Sequence, residues 1–175
     1  MSSKQFASVV ISAIFLILVG CEKDDNSIGL SNNNTNDFFN DQSDYPAKII
    51  QSGITYELFV NQYETKDTVS VGLSLPANYE ITNNSSKKLI LEFKKSPRIQ
   101  FTIRSSNGTL VVKEPQETVD DNAIVTIDTS TSTTFGIFRT LVDDNRKQIP
   151  PGSYKLRIKL NMSDSPILMK TFVIK

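Results

Sequence analysis

Ile149-Pro150-Pro151-Gly152-Ser153-Tyr154-Lys155-Leu156-Arg157-Ile158-Lys159-Leu160 decides the fold. A Pro-Gly turn stands two residues before a tyrosine. That tyrosine opens a run in which Tyr154, Leu156, Ile158 and Leu160 alternate with Lys155, Arg157 and Lys159. Successive side chains of a strand point to opposite faces, so the run has one apolar and one charged face. Such a strand packs on a core on one side and meets water on the other, as antiparallel sheets do.

The same period of two recurs upstream. Leu89, Leu91 and Phe93 alternate with Ile90, Glu92 and Lys94, and Ile99, Phe101 and Ile103 with Gln100, Thr102 and Arg104. Shorter strand patterns fall near Ile54–Val60, Thr68–Leu73, Thr109–Val112, Ala123–Asp128, Thr134–Val142 and Ile167–Ile174. Asn107-Gly108 lies between two of these patterns and signals a hairpin. Asn161 to Pro166 separates the last two and suits a terminal hairpin. No stretch after residue 20 repeats apolar residues at helical spacing. Many short strands with turns between them predict an all-β chain, a sandwich or a barrel. Here the opening stretch is specific: Pro-Gly followed by Tyr154 resembles the tyrosine corner of immunoglobulin-like and fibronectin-type sandwiches, in which a tyrosine hydroxyl bonds back to nearby backbone. The expectation is an antiparallel immunoglobulin-like β-sandwich of about 7–9 strands over residues 46–175. Unlike antibody domains, the chain has no tryptophan and no second cysteine for an inter-sheet disulfide. A lipocalin-like barrel is the alternative.

The chain begins differently. Lys4 precedes an uncharged, mostly apolar run from Phe6 to Gly20, and Cys21, the single cysteine, follows at once. A positive n-region, an apolar h-region and small residues at a cut site make a signal peptide. The run is short for a membrane span, which needs about 20 residues. Leu18-Val19-Gly20-Cys21 resembles the lipobox of bacterial lipoproteins. That implies cleavage after residue 20 and lipid attachment at Cys21, and two or more acyl chains give stable anchoring. Lys23, Asp24 and Asp25 resemble the surface-export signal of Bacteroidetes-type lipoproteins, with Glu22 in its variable slot. The resemblance implies an outer-membrane lipoprotein exposed at the cell surface. Residues 21–45, rich in Asn, Asp and Ser, read as the lipidated N-terminus and a flexible tether. Phe38-Phe39 interrupts that run, and both rings are expected to pack on the edge of the following domain, against the alternative that they dock a partner.

Composition excludes several functions. Removing residues 1–20 takes one lysine and no acid from a chain of 19 basic and 19 acidic side chains, leaving it near neutral. No basic stripe exists to track a phosphate backbone, so nucleic acid is not an expected partner. There is no histidine, so triad chemistry and the usual zinc sites are out of reach. No phosphate-cradling glycine motif occurs. The expectation is a non-catalytic protein without cofactor or bound metal.

The remaining candidates are few. Val119-Asp120-Asp121-Asn122 and Val142-Asp143-Asp144-Asn145 repeat a short motif between strand patterns. Asp120, Asp121, Asp143 and Asp144 are candidate calcium ligands, against the alternative that Asp and Asn side chains build local turns. Tyr63 and Tyr79, at or beyond strand ends beside Asn61, Gln62 and Asn78, are candidates for stacking on a sugar ring, against the alternative that they cap the core. Taken together, the chain reads as a surface lipoprotein serving as a binding or adhesion module. Its partners are the membrane, through the lipid, and a glycan or surface assembly. The alternative is a structural subunit on an outer-membrane protein complex.

Overall fold

The computed structural model describes residues 35–61 and 67–175. One short helix, α1 (Thr35–Asn40), precedes β1 (Lys48–Gln51), β2 (Ile54–Val60), β3 (Thr68–Val69) and β4 (Ser74–Asn83). Then come β5 (Leu89–Ser96), β6 (Ile99–Ser105), β7 (Leu110–Glu114) and β8 (Val119–Ile127). The last strands are β9 (Thr131–Thr140), β10 (Gly152–Leu160) and β11 (Leu168–Ile174). Apart from α1, the described residues are all-β and form a β-sandwich. A four-stranded sheet β1-β2-β4-β9 and a five-stranded sheet β3-β11-β10-β6-β7 are joined by a two-stranded ribbon, β5-β8. Among the described residues all strand pairs are antiparallel except β3 with β11.

The core follows from the alternation. Leu75, Ala77, Tyr79 and Ile81 of β4 face Ile103 of β6 and Leu156, Ile158 and Leu160 of β10 within one cluster of buried side chains. Leu91 and Phe93 bring the ribbon into the same cluster, with Phe93 against Phe135 of β9 at 5.6 Å between ring centroids. Burial of each large apolar side chain stabilises the fold by about 1.5–3 kcal/mol.

Local chemistry explains the corners. The Tyr154 hydroxyl donates to the Pro150 carbonyl at 2.8 Å, the back-bond of a tyrosine corner. Between β6 and β7 the Asn-Gly pair makes the expected hairpin. Only Gly108 adopts positive φ, at 88°. Asn107 instead accepts the Thr109 N–H through its side chain at 3.1 Å.

Three expectations change. Among the described residues there are eleven strands, more than the 7–9 expected, because β1 and the whole of β4 went unread. Pro76 is the reason for β4, since proline argues against a central strand. The structure places Pro76 beyond the end of β2, whose Val60 pairs with Ala77. Its missing N–H therefore forgoes only the reciprocal bond to Asn61 at the end of the ladder, and its carbonyl still accepts from Asn61. Next, the charged faces of β6 and β10 are not wet: Gln100, Thr102, Arg104, Arg157 and Lys159 are all buried. Finally, the tether does not run to residue 45, because residues 38–45 supply what covers that face.

Candidate functional site

The outer face of the five-stranded sheet carries a row of polar and cationic side chains. Strand register sets Lys159 opposite Gln100, Arg157 opposite Thr102 and Lys155 opposite Arg104. Lys113 of β7 stands opposite Thr102 on its other side. Left bare, this row would be the solvated side of the sheet. Residues 38–45 instead lie across it as a strap.

Phe38 is fully buried. Its ring lies 5.1 Å from the Arg157 guanidinium carbon and 5.4 Å from the Lys159 ammonium, and the Tyr45 ring lies 5.1 Å from the same carbon. The guanidinium donates to the main-chain carbonyl of Asp41 and, at 2.8 Å, to its carboxylate. The Tyr45 hydroxyl donates to the same carboxylate at 2.5 Å. Arg104 reaches the Phe39 carbonyl at 2.7 Å, and the Lys113 ammonium lies 4.5 Å from the Phe39 ring centre.

These contacts differ in weight. Arg157 is 1% exposed, so its charge-assisted bonds act away from water, at about 1.5–3 kcal/mol each. Desolvated cation–π contacts add about 2 kcal/mol. Lys155–Asp44 is a surface pair with side chains 38% and 72% exposed, and such pairs contribute about 0–1 kcal/mol. Phe38 and Arg157 therefore hold the strap. Burial, and then the Arg157 charge, push the Lys159 ammonium pKa down.

A polar cavity of about 170 Å³ opens beside Phe39, with Gln100, Lys113, Glu117 and Asn161 among its walls. Gln100 donates to Asn161 Oδ1 at 2.6 Å, and its Oε1 has no protein partner. The cavity can take one small polar group. Its lining offers no constellation for covalent chemistry.

Most sequence-derived candidates lie elsewhere. Cys21, Lys23, Asp24, Asp25 and Tyr63 fall outside the described residues. Tyr79 is no loop aromatic: it sits in β4, fully buried, with its hydroxyl donating to the Pro166 carbonyl at 3.0 Å. Burial drives its pKa upward. A ring held there cannot stack on an external sugar.

Asp120 and Asp121 lie in β8 rather than in a turn, and both are exposed. Adjacent strand residues face opposite ways, so the two carboxylates do not converge. Asp143 accepts the main-chain N–H of Asn145 at 2.9 Å and of Lys147 at 2.8 Å, the turn role of such residues. Asp144 accepts the N–H of Lys113 at 3.4 Å. Among the described residues no three His, Cys, Asp or Glu side chains group to hold a metal, and no helix is long and apolar enough to cross a membrane.

Sequence reasoning placed Phe38 and Phe39 against the domain, and Phe38 is buried there, but it put them at an edge and missed the strap across the sheet face. Phe38, Phe39 and Tyr45 in an otherwise polar run were its signal, with Asp41 among them.

No family model matches this chain, and no curated protein does. Among solved structures, it is similar to part of an alkylpurine DNA glycosylase from Pseudomonas fluorescens, at TM-score 0.42 and 9% identity over 71% of this chain and 31% of that one. A sporulation control protein from Bacillus subtilis matches at TM-score 0.40 and 10% identity, over 72% of this chain and 50% of that one. A CARDB domain from Pyrococcus furiosus matches at TM-score 0.38 and 11% identity, over 77% of this chain and 95% of that one. This chain thus spans well under two thirds of the glycosylase. At these scores the likenesses carry no argument about function.

Proposed function

We propose that the protein is a non-catalytic, lipid-anchored lipoprotein of the outer membrane, exposed at the cell surface and serving as a binding or adhesion module. One observation carries this reading: the single cysteine, Cys21, directly follows an apolar leader ending Leu18-Val19-Gly20, with Lys23-Asp24-Asp25 in register behind it. A chain without histidine favours binding over catalysis. The polar cavity beside Phe39 suits a hydroxylated group such as that of a glycan. The runner-up is a structural subunit of an outer-membrane complex. Phe38 is consumed within the chain, so such a subunit would dock through a sheet edge.

Protease treatment of intact and lysed cells, followed by immunoblot of the folded domain, tests the placement. Loss from intact cells is expected; protection until lysis would overturn surface exposure. Cys21→Ala should move the protein from the membrane to the soluble fraction. Retention on immobilised polysaccharides separates the binding module from the structural subunit, which should show none.

A further inference from the structure

Exposed strand edges invite pairing, and folded proteins guard them with short length, bulges, proline or charge. Most edges of this molecule are guarded. β1 has four residues and opens on Lys48, and β3 has two. β7 has five residues and stops before Pro115. β5 carries Lys94 and Lys95 and a register break between Phe93 and Lys95, and β8 carries Asp120 and Asp121. β9 is the exception. It runs ten residues, Thr-Ser-Thr-Thr-Phe-Gly-Ile-Phe-Arg-Thr, with β4 on one side and, among the described residues, no strand on the other. Its one charge, Arg139, is engaged with Glu114 at 2.9 Å.

The ladder fixes which groups face outward. Asn83 accepts from Ser130 on the β9 side, while Pro76 accepts from Asn61 on the β2 side. Odd-numbered residues of β4 therefore bond toward β9, and their partners in β9 are Thr133, Phe135, Ile137 and Arg139. The N–H and C=O groups of Ser132, Thr134, Gly136 and Phe138 point to the open edge. The side chains of those same residues lie on the solvent face. Phe138 is 82% exposed, and Gly136, two positions away on that face, has no side chain.

We propose that β9 pairs with β9 of a second copy of this chain, antiparallel about a two-fold axis at Ile137. That register sets each Phe138 opposite the other copy's Gly136, where the two exchange both hydrogen bonds and the ring covers the bare glycine backbone, a pairing that stabilises edge glycines. The surface is complementary to itself, as a closed two-fold interface requires. No like charges oppose one another across the axis, because the free edge carries none. The two four-stranded sheets become one continuous sheet.

Sedimentation equilibrium of the full chain in density-matched detergent, with reductant to keep Cys21 from cross-linking, tests the pairing. The wild type should sediment at twice the single-chain mass. Phe138→Lys acts on the side chain and Thr134→Pro on an outward N–H; each should sediment at the single-chain mass. Should either melt below the wild type, Phe138→Thr, which keeps strand propensity, replaces it and must give the same mass. A wild type of single-chain mass, a variant that stays paired, or assembly into larger species would each overturn the proposal.

Discussion

Asp41 and Arg157, 116 positions apart in the chain, close on one another across the outer face of a sheet, the guanidinium holding both the carbonyl and the carboxylate of the aspartate. Removing the aspartate leaves a cation that is 1% exposed with two aromatic rings and no anion. Breaking a buried pair from one side costs about 3–5 kcal/mol. Asp41→Ala should therefore lose about 3 kcal/mol in urea denaturation. Asp44→Ala, whose partner Lys155 is on the surface, should lose less than about 1 kcal/mol. Equal losses would show that the strap is not held by Arg157.

The same pair sets an acid limit. Burial raises the Asp41 pKa, but hydrogen bonds from the Tyr45 hydroxyl and Ser43, with the Arg157 charge, outweigh it and lower the carboxyl from 3.8 to about 2. A carboxylate with a depressed folded pKa contributes stability that is complete above its unfolded value and lost as pH falls through the folded one. The stability difference between wild type and Asp41→Asn should be flat above pH 3.8 and should shrink as pH falls toward about 2. Thermal melts of both proteins across that range measure it. A difference that vanished near neutral pH would contradict the assignment.

Phe38 and Phe39 are neighbours with unequal roles. Phe38 is fully buried, whereas Phe39 is half-buried at the cavity rim. Phe38→Ala should cost about 3–5 kcal/mol and open residues 38–45 to limited proteolysis. Phe39→Ala should cost less and leave the strap protected.

Tyr79→Phe isolates one hydroxyl. It keeps the ring in the core and removes the donor to the Pro166 carbonyl, so about 1–3 kcal/mol should be lost. Retention on any polysaccharide that the wild type binds should be unchanged, because the ring is enclosed. A loss of retention at unchanged stability would return Tyr79 to the binding surface.

Asp143→Ala should lower stability by about 1 kcal/mol, since the carboxylate accepts two main-chain N–H groups of its own turn. The loss should be the same in millimolar calcium and in chelator, and the wild-type melting temperature should not differ between them. A calcium-dependent gap would restore the cation site.

Local chemistry was legible in the sequence. Tyr154 after Pro-Gly and the Asn107-Gly108 turn depend on residues within a few positions of one another, and both fold as their patterns indicate. β4 was hidden by Pro76, because a proline's cost depends on whether a neighbouring strand reaches it, which is a matter of tertiary register. The candidate site was the least legible part. Arg157 and Lys159 have the spacing of a solvated face, and only partners more than a hundred positions upstream turn that face into an interior. A run as polar as residues 35–45 carries no periodicity to announce such a partner.

The strap also orders events in time. Residues 38–45 are made early, yet their seat consists of β6 and β10, and β3 finds its partner only in β11, the last strand. An unfinished chain has nowhere to put Phe38 and no Arg157 to meet Asp41. Contacts this distant in sequence form slowly. Such lateness keeps the chain open until β11 has been made.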